Sequence, residues 1–251
     1  MKRRGEEQTS DTNKRRKVNA PPKRIYKKKK KFEGYYVWYN DIGVAVREHD
    51  ELPPEDMEGP IHCAHFDTRK KAIAKPFNEL TIYTDGSSKN NNRDSGYGVF
   101  WGIDDIRNVS MRMVGTNNAM EAQAMLHALE QWHVMPRDDF EKLVIYTDSN
   151  LTMNAVAEPG DWFRRIWEPN GESETRKNYE VYEKIVRLLD KEPNVSIRHV
   201  KSHIGIYGNE RADDLAGKAG SERETSKTPE TTADEPAKPK LISLSRDYVF
   251  V

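Results

Sequence analysis

The stretch Leu80-Thr81-Ile82-Tyr83-Thr84-Asp85-Gly86-Ser87-Ser88 places a carboxylate directly after a run of strand-forming residues. The same pattern returns in Leu143-Val144-Ile145-Tyr146-Thr147-Asp148-Ser149. Short apolar runs rich in β-branched and aromatic residues are typical of buried strands. We therefore predict two strands that each end at an aspartate, namely Asp85 and Asp148.

Two further acidic residues lie in segments with helical character. Glu121 follows the helix-opening residues 116–118, and Asp213 lies in the segment 208–216, shortly after His203. Hard divalent cations prefer oxygen ligands, and converging carboxylates are costly unless a cation neutralises them. Two such ions roughly 4 Å apart can activate a water and stabilise the leaving oxygen of a phosphodiester. The settings of the four acidic residues therefore suit magnesium-dependent phosphodiester cleavage.

The region from about Glu79 to Gly220 resembles a type 1 ribonuclease H catalytic domain. Four motifs in family order carry the resemblance: TIYTDGSS (81–88), GTNNAMEAQAMLHAL (115–129), LVIYTDS (143–149) and VKSHIGIYGNERADDLA (200–216). One motif alone would be weak evidence, whereas four in the right order and spacing are specific. The resemblance implies an α/β fold with a mixed five-stranded sheet flanked by helices.

The resemblance also implies roles for the acidic residues and for one histidine. Asp85 and Asp148 would bridge or anchor two Mg²⁺ ions, with Mn²⁺ as the alternative. Glu121 would ligate metal and touch the substrate, and Asp213 would complete the site. His203 would assist water deprotonation or product release. Taken singly, each residue has an ordinary explanation as a turn, cap or solvated helix residue; their combination favours the site.

The implied reaction is endonucleolytic hydrolysis of the RNA strand of RNA–DNA hybrids, leaving 5′-phosphate and 3′-hydroxyl ends. The implied substrate contacts are Asn91, Thr116, Asn117, Asn118, Trp162, Trp167, Asn178 and Asn209. Asn91, Asn117 and Asn118 match positions that touch the RNA strand, where an amide can read the 2′-hydroxyl. Thr116 and Asn178 match parts of a pocket that grips a DNA phosphate.

Some of these contacts depart from the family pattern. Trp162 and Trp167 lie where the family carries a basic protrusion with aromatic residues, but acidic residues dilute the charge here. Asn209 matches an asparagine beside the scissile region, and it is also suited to cap a helix. The arginine expected two residues before Thr116 is Val114, so Arg112 is the candidate replacement.

The net charge of zero hides a strongly basic N-terminus. Residues 1–31 hold fourteen basic and three acidic residues, a net charge of about +11, so the remaining chain carries about −11. Such an arm can bind nucleic acid by releasing counterions, although a solvated tail fits equally well. Its clusters Lys2-Arg3-Arg4 and Lys14-Arg15-Arg16-Lys17 resemble a bipartite nuclear-localisation signal, which predicts a nuclear protein.

Residues 32–76 are predicted to form a small separate unit. Strand-forming runs at 35–39, 43–46 and 64–68 precede a helix at 69–74 capped by Thr68. This order faintly resembles the hybrid-binding module that often precedes eukaryotic type 1 ribonucleases H. The expected tryptophan and cysteine after the second strand are missing. A degenerate module and a plain extension therefore remain equally acceptable interpretations.

The whole chain is thus divided into a basic arm (1–31), this unit (32–76), the catalytic domain (79–220) and a tail (221–251). The tail is rich in Glu, Thr, Ser, Pro and Lys, a composition typical of disorder, although 241–251 turns apolar again. The single Cys63 excludes an intramolecular disulfide and is typical of a reducing compartment. No apolar run approaches the length of a membrane span, so we expect no membrane segment. We also expect the protein to be a monomer.

The catalytic region alternates between strand and helix patterns after the strand that contains Asp85. The predicted elements are strands at 97–101, 109–114 and 195–200, and helices at 118–135, 151–157, 174–189 and 209–218. Pro136 should end the longest helix, because proline cannot continue it.

Two other functions compete with hybrid cleavage. The chain could be a hybrid-binding protein with little turnover, or a related nuclease that acts on DNA. The presence of every implied carboxylate together with His203 argues against a protein that only binds. Cleavage assays on hybrid and on duplex DNA separate the three alternatives.

Overall fold

The computed structural model of the protein describes residues 31–136, 140–172 and 176–221. Its strands are β1 Tyr35–Tyr39, β2 Val44–Glu48, β3 His62–Phe66, β4 Glu79–Lys89, β5 Asp94–Phe100, β6 Val109–Arg112, β7 Lys142–Thr147 and β8 Val195–His199. Its helices are α1 Arg69–Ile73, α2 Asn117–Val134, α3 Asn150–Val156, α4 Tyr179–Lys191 and α5 Tyr207–Ser221, with a π-helical turn at Phe163–Trp167.

Five strands form the central sheet in the order β6-β5-β4-β7-β8. The pairs β4/β5 and β5/β6 are antiparallel, whereas β4/β7 and β7/β8 are parallel. Helices pack on this sheet, so the predicted mixed five-stranded α/β fold is confirmed. Among the described helices, none combines the length and the apolar character needed to cross a bilayer.

Strand β4 does not end at Asp85 as predicted but continues to Lys89. Its parallel pairing with β7 stops at Thr84 opposite Thr147. Its antiparallel pairing with β5 goes on from Asp85 to Lys89, and this second partner keeps the chain extended. Asp85 therefore lies where β4 separates from β7, which opens a gap at the edge where β7 also ends.

Helix α2 covers one face of the central sheet, and α4 packs against α2. Apolar residues of α2 join those of β4 and β7 in the main core: Leu80, Ile82, Met120, Met125, Leu129, Trp132, Leu143 and Ile145. Helix α2 ends at Val134, two residues before Pro136, as predicted. Helix α4 begins at Tyr179, later than predicted, because Asn178 takes a left-handed conformation with φ of 62°.

Helix α5 packs on the other face and begins at Tyr207, two residues earlier than predicted. The backbone N–H of Glu210 already donates to the carbonyl of Ile206 at 3.0 Å, so Gly208 lies within the helix. Close packing of α5 on β5 depends on Gly98, where an added Cβ would lie 2.4 Å from the carbonyl oxygen of Ala212.

Residues 32–76 form a second, three-stranded antiparallel sheet in the order β2-β1-β3. The predicted helix follows as α1, with Thr68 accepting from the N–H of Lys71. One face of this sheet packs on α1. The other face joins Tyr36, Trp38 and Cys63 to Tyr83 and other residues of the central sheet in a second core. Burial on both faces explains why the run at β1 is uninterrupted by polar residues.

Several predictions fall outside the described residues. They concern the arm at 1–30 with its two basic clusters, the tail at 222–251 and the first residues of the helix predicted from Glu174.

Candidate active site

Three carboxylates meet at the gap between β4 and β7. Asp85 lies on β4, Glu121 on α2, and Asp148 follows the last residue of β7. One oxygen of each lies within 4.8 Å of the others. Because β4 and β7 pair in parallel as far as Thr84 and Thr147, the next residues, Asp85 and Asp148, lie at the same edge. The structure thus brings together three of the four carboxylates predicted as metal ligands.

Glycine at position 86 lets α2 approach this edge. An added Cβ would lie 2.3 Å from the backbone nitrogen of Glu121, which is closer than any real side chain can sit. The N-terminus of α2 is secured by Thr116, whose hydroxyl accepts from the N–H of Ala119 at 3.2 Å. These two local features position Glu121 next to Asp85.

Asp213 joins the cluster from α5. A single cleft of about 450 Å³ is lined by all four carboxylates together with His203, Asn117 and Asn118. The neighbouring Asp214 instead pairs with Arg211 at 2.5 Å on the exposed side of the helix. Asp213 is therefore the one of the two aspartates that faces the cleft.

Burial and mutual repulsion make the ionised form of this cluster unfavourable. Burial, followed by the negative charges of Asp148 and Asp213, raises the pKa of Asp85 to about 8. Burial and the charges of Asp85 and Asp148 raise the pKa of Glu121 well above its usual value. A divalent cation would relieve both costs at once.

The donor set itself fits a hard cation. Oε2 of Glu121 is buried and has no hydrogen-bond partner among the residues that the structure describes. Its other oxygen accepts a long hydrogen bond, 3.4 Å, from the side chain of Asn117. A buried carboxylate oxygen normally has a partner, and the oxygens of Asp85 and Asp148 leave room for a cation to be that partner. The cluster could therefore hold a divalent metal ion.

His203 lies in the loop between β8 and α5, at the mouth of the cleft. Its Nδ1 is 3.8 Å from Oδ2 of Asp213, and 61% of its side chain is exposed. Its backbone is left-handed, with φ of 52°. Glu210 completes a second group of possible ligand atoms with His203 and Asp213. Sequence analysis missed Glu210, although its spacing of three residues from Asp213 on one helix is a signal for a shared face.

Asn209 is the third residue of α5 and does not cap it. Its side chain is buried, and Nδ2 donates to Oδ2 of Asp148 at 3.5 Å. Asn209 therefore helps to orient a carboxylate of the cluster.

A second cavity, of about 630 Å³, collects most of the other predicted contacts. It is lined by Thr116, Asn118, Trp162, Trp167 and Asn178 among others. Trp162 is half-buried, whereas Trp167 is buried and packs on Tyr182, so Trp167 is also a core residue.

The cavity also contains two cations that sequence analysis missed, Arg176 and Lys177. The guanidinium of Arg176 lies 4.9 Å from the ring centre of Trp167. Arg176 and Lys177 directly precede Asn178, and this position in the sequence was the signal for them. Arg112 does not replace the missing arginine, because its guanidinium donates to the carbonyls of Arg93 and Gly220, away from this cavity.

Asn91 is not brought into the cleft. It lies in the turn between β4 and β5, where residues 90–92 all have positive φ, and it is exposed. Asparagine is tolerated in that conformation, which accounts for the run of three asparagines by local structure.

Known proteins resemble this chain over the same region. The family model RNase H matches residues 77–221. Ribonuclease H of Schizosaccharomyces pombe is 35% identical over 175 residues, which cover 66% of this chain and 61% of that protein. Ribonuclease H1 of Homo sapiens is 31% identical over 153 residues, covering 58% and 51%. Ribonuclease H of Francisella tularensis subsp. novicida is 33% identical over 156 residues, covering 60% and 96%.

The extent of the match differs between these relatives. The chain spans between about half and two thirds of the length of the two eukaryotic relatives, and nearly all of the bacterial one. The family match covers more than half of this chain and includes β4 to α5, the elements that carry the acidic cleft. The chain therefore belongs to the ribonuclease H family.

Proposed function

We propose that this protein is an endonuclease that hydrolyses the RNA strand of RNA–DNA hybrids with two divalent cations, Mg²⁺ or alternatively Mn²⁺. The observation that supports this most directly is the convergence of Asp85, Glu121 and Asp148 within 4.8 Å. Buried carboxylates with raised pKa values are unfavourable unless a cation neutralises them. Family membership supports the same reaction.

Each residue of the cleft has a role in this proposal. Asp85, Glu121, Asp148 and Asp213 would hold the ions, and Asn209 would keep Asp148 oriented through its 3.5 Å hydrogen bond. Mg²⁺ supplies activation of a water and stabilisation of the leaving oxygen when bound. His203, close to Asp213 and exposed, would accept a proton from the attacking water or help the product leave.

The surroundings of the cleft suit a hybrid substrate. Asn117 and Asn118 are exposed beside the carboxylates, where their amides can donate to and accept from a 2′-hydroxyl. The second cavity, with Thr116, Asn178 and the cations Arg176 and Lys177, would hold a phosphate of the DNA strand. The RNA strand and the DNA strand of the hybrid would thus be bound by two different sets of residues.

The test is cleavage of a labelled RNA–DNA hybrid, duplex DNA and duplex RNA in Mg²⁺. We expect cleavage only within the RNA of the hybrid, giving 5′-phosphate ends, and no activity in chelator. Asp148→Asn should abolish cleavage while leaving hybrid binding largely intact, since it removes a ligand but preserves shape. Asp214→Asn, one residue from Asp213 on the exposed side of α5, is the matched control and should cleave normally.

A protein that only binds hybrids would bind without cutting in this assay. The burial of Tyr36, Trp38 and Tyr39 favours cleavage over that alternative. Buried aromatic rings are not free to stack on bases, so β1 offers little of the surface that a separate binding module needs. Cutting of duplex DNA would instead indicate the related DNA nuclease.

We also propose that the protein is a nuclear monomer. The basis for nuclear localisation is the pair of basic clusters in the arm, Lys2-Arg3-Arg4 and Lys14-Arg15-Arg16-Lys17. A fluorescent fusion should concentrate in the nucleus and disperse when both clusters are changed to glutamine. Sedimentation should give a single species of the monomer mass, 29.0 kDa.

A further inference from the structure

The N-terminal sheet is bonded to the loop that carries His203. The hydroxyl of Tyr36 on β1 donates to the carbonyl of Gly205 at 3.1 Å and accepts from the N–H of Tyr207 at 2.7 Å. The backbone N–H of Phe32 donates to the carbonyl of Ile204 at 2.8 Å. Three hydrogen bonds thus join residues before and within β1 to the four-residue segment 204–207, which directly follows His203.

The loop has a backbone that must be held in place. Both His203, with φ of 52°, and Gly205, with φ of 86°, are left-handed. This conformation is uncommon outside glycine, although histidine adopts it more often than most residues, and surrounding contacts hold it in place. The hydroxyl of Tyr36 is well suited to enforce it, because it is buried and bonds one donor and one acceptor of the loop.

Side-chain packing strengthens the same connection. The ring of Trp38 meets the ring of Tyr207 edge-on, with centres 5.1 Å apart. Ile206 is buried in the second core together with Tyr36 and Trp38. Beyond the hydrogen bonds, the buried Ile206 therefore anchors the loop between the N-terminal sheet and the central sheet, whereas the side chain of His203 is exposed.

We propose that Tyr36 is a positioning residue for His203: its hydroxyl holds the β8–α5 loop so that the imidazole stays beside Asp213. This role rests on the proposed hybrid cleavage and assigns the N-terminal sheet to the catalytic machinery. Tyr36 does not line the acidic cleft, and within the described part of the chain its hydroxyl bonds only the loop backbone, at Gly205 and Tyr207, so it acts through the loop.

Tyr39 provides a matched control on the same strand. Its side chain is also buried, and its hydroxyl accepts from the backbone N–H of Thr81 at 2.8 Å, at the start of β4. Tyr39→Phe therefore removes one buried tyrosine hydroxyl, as Tyr36→Phe does, but leaves the His203 loop untouched. A loss of activity that merely followed lost stability would appear in both variants.

The first measurement is steady-state cleavage of hybrid by the full chain with each substitution. We expect Tyr36→Phe to lower kcat about tenfold with KM nearly unchanged, because the two hydrogen bonds of the hydroxyl no longer hold the loop and the reacting geometry loosens. Tyr39→Phe should keep a kcat within about twofold of wild type. Equal kcat values for Tyr36→Phe and wild type, or equal losses in both variants, would overturn the proposal.

The second measurement asks whether Tyr36 acts through His203. In a His203→Ala background, Tyr36→Phe should lower kcat no further, since the side chain that it positions is gone. A further tenfold loss in that background would show that Tyr36 works by another route and would overturn the positioning role.

The third measurement does not depend on cleavage. Amide hydrogen exchange in the peptide that spans the loop should be about tenfold faster in Tyr36→Phe and unchanged in Tyr39→Phe. If the wild-type chain does not cleave hybrid, the proposed function fails, yet this exchange result still decides whether Tyr36 holds the loop. Unchanged exchange in Tyr36→Phe would refute the proposal even for an active enzyme.

Discussion

Asp85 is held in an environment that penalises its charge. It is buried where β4 separates from β7, and Asp148 and Asp213 face it across the cleft. The rise of its pKa from 3.8 to about 8 means that the folded protein without metal favours the neutral acid. Metal binding and folding stability are therefore both linked to the protonation state of Asp85.

This linkage predicts how stability depends on pH in chelator. Because folding raises the pKa of Asp85, the contribution of this residue to the free energy of unfolding is fully present below a pH of about 4. It is lost as the pH rises through about 8. The free energy of unfolding should therefore fall between these values. Asp85→Asn cannot titrate, so its free energy of unfolding should fall less steeply. Urea unfolding in chelator at several pH values measures both slopes, and equal slopes would contradict the prediction.

Among the secondary-structure elements, β4 and α2 can approach closely because Gly86 has no side chain. Gly86→Ala would push α2 away, because the new Cβ would lie 2.3 Å from the nitrogen of Glu121. We expect a loss of about 1–3 kcal/mol in the free energy of unfolding. A displacement of Glu121 by about 1 Å should also cost about a hundredfold in cleavage rate.

Gly217 on α5 provides the control for this substitution. An added Cβ there meets nothing within 4 Å, so Gly217→Ala should be neutral or slightly stabilising. Denaturant unfolding and cleavage rates measure both variants. Wild-type activity in Gly86→Ala would show that the approach of α2 does not set the position of Glu121.

The cavity at the start of α4 predicts a phosphate contact by Lys177. Lys177→Gln should weaken hybrid binding several-fold and lower the slope of log affinity against log salt by about 0.9, the share of one phosphate. Lys184→Gln, at an exposed position further along α4, is the matched control and should change neither quantity. Titrations at several salt concentrations measure the slope, and an unchanged slope for Lys177→Gln would remove this residue from the interface.

For the whole molecule, the separation of charge predicts a role for the basic arm. The arm and the rest of the chain carry opposite net charges of about 11. Deletion of residues 1–30 should weaken hybrid binding and flatten its salt dependence, yet leave the maximal cleavage rate intact. This boundary preserves Phe32, whose N–H donates to the carbonyl of Ile204 in the β8–α5 loop. A salt slope identical to that of the full chain would show that the arm does not contact nucleic acid.

Much of the fold could be read from local patterns. The alternation of strands and helices, the cap at Thr68 and the stop before Pro136 follow from propensities that act over a few residues. The predicted ends of elements were wrong where contacts with residues distant in sequence decide them. Strand β4 extends past Asp85 because β5 pairs with it, and Asn209 lies inside α5 rather than at its cap.

The four carboxylates could be named from motif order, because each follows a recognisable strand or lies in a recognisable helix. Their convergence within one cleft, and the shifts of pKa that result, arise only when β4, β7, α2 and α5 pack together. Arg176, Lys177 and Glu210 were missed for the same reason. The bonds from Tyr36 to the His203 loop join residues separated by 169 and 171 positions, and no local spacing encodes a contact made by packing one sheet against another.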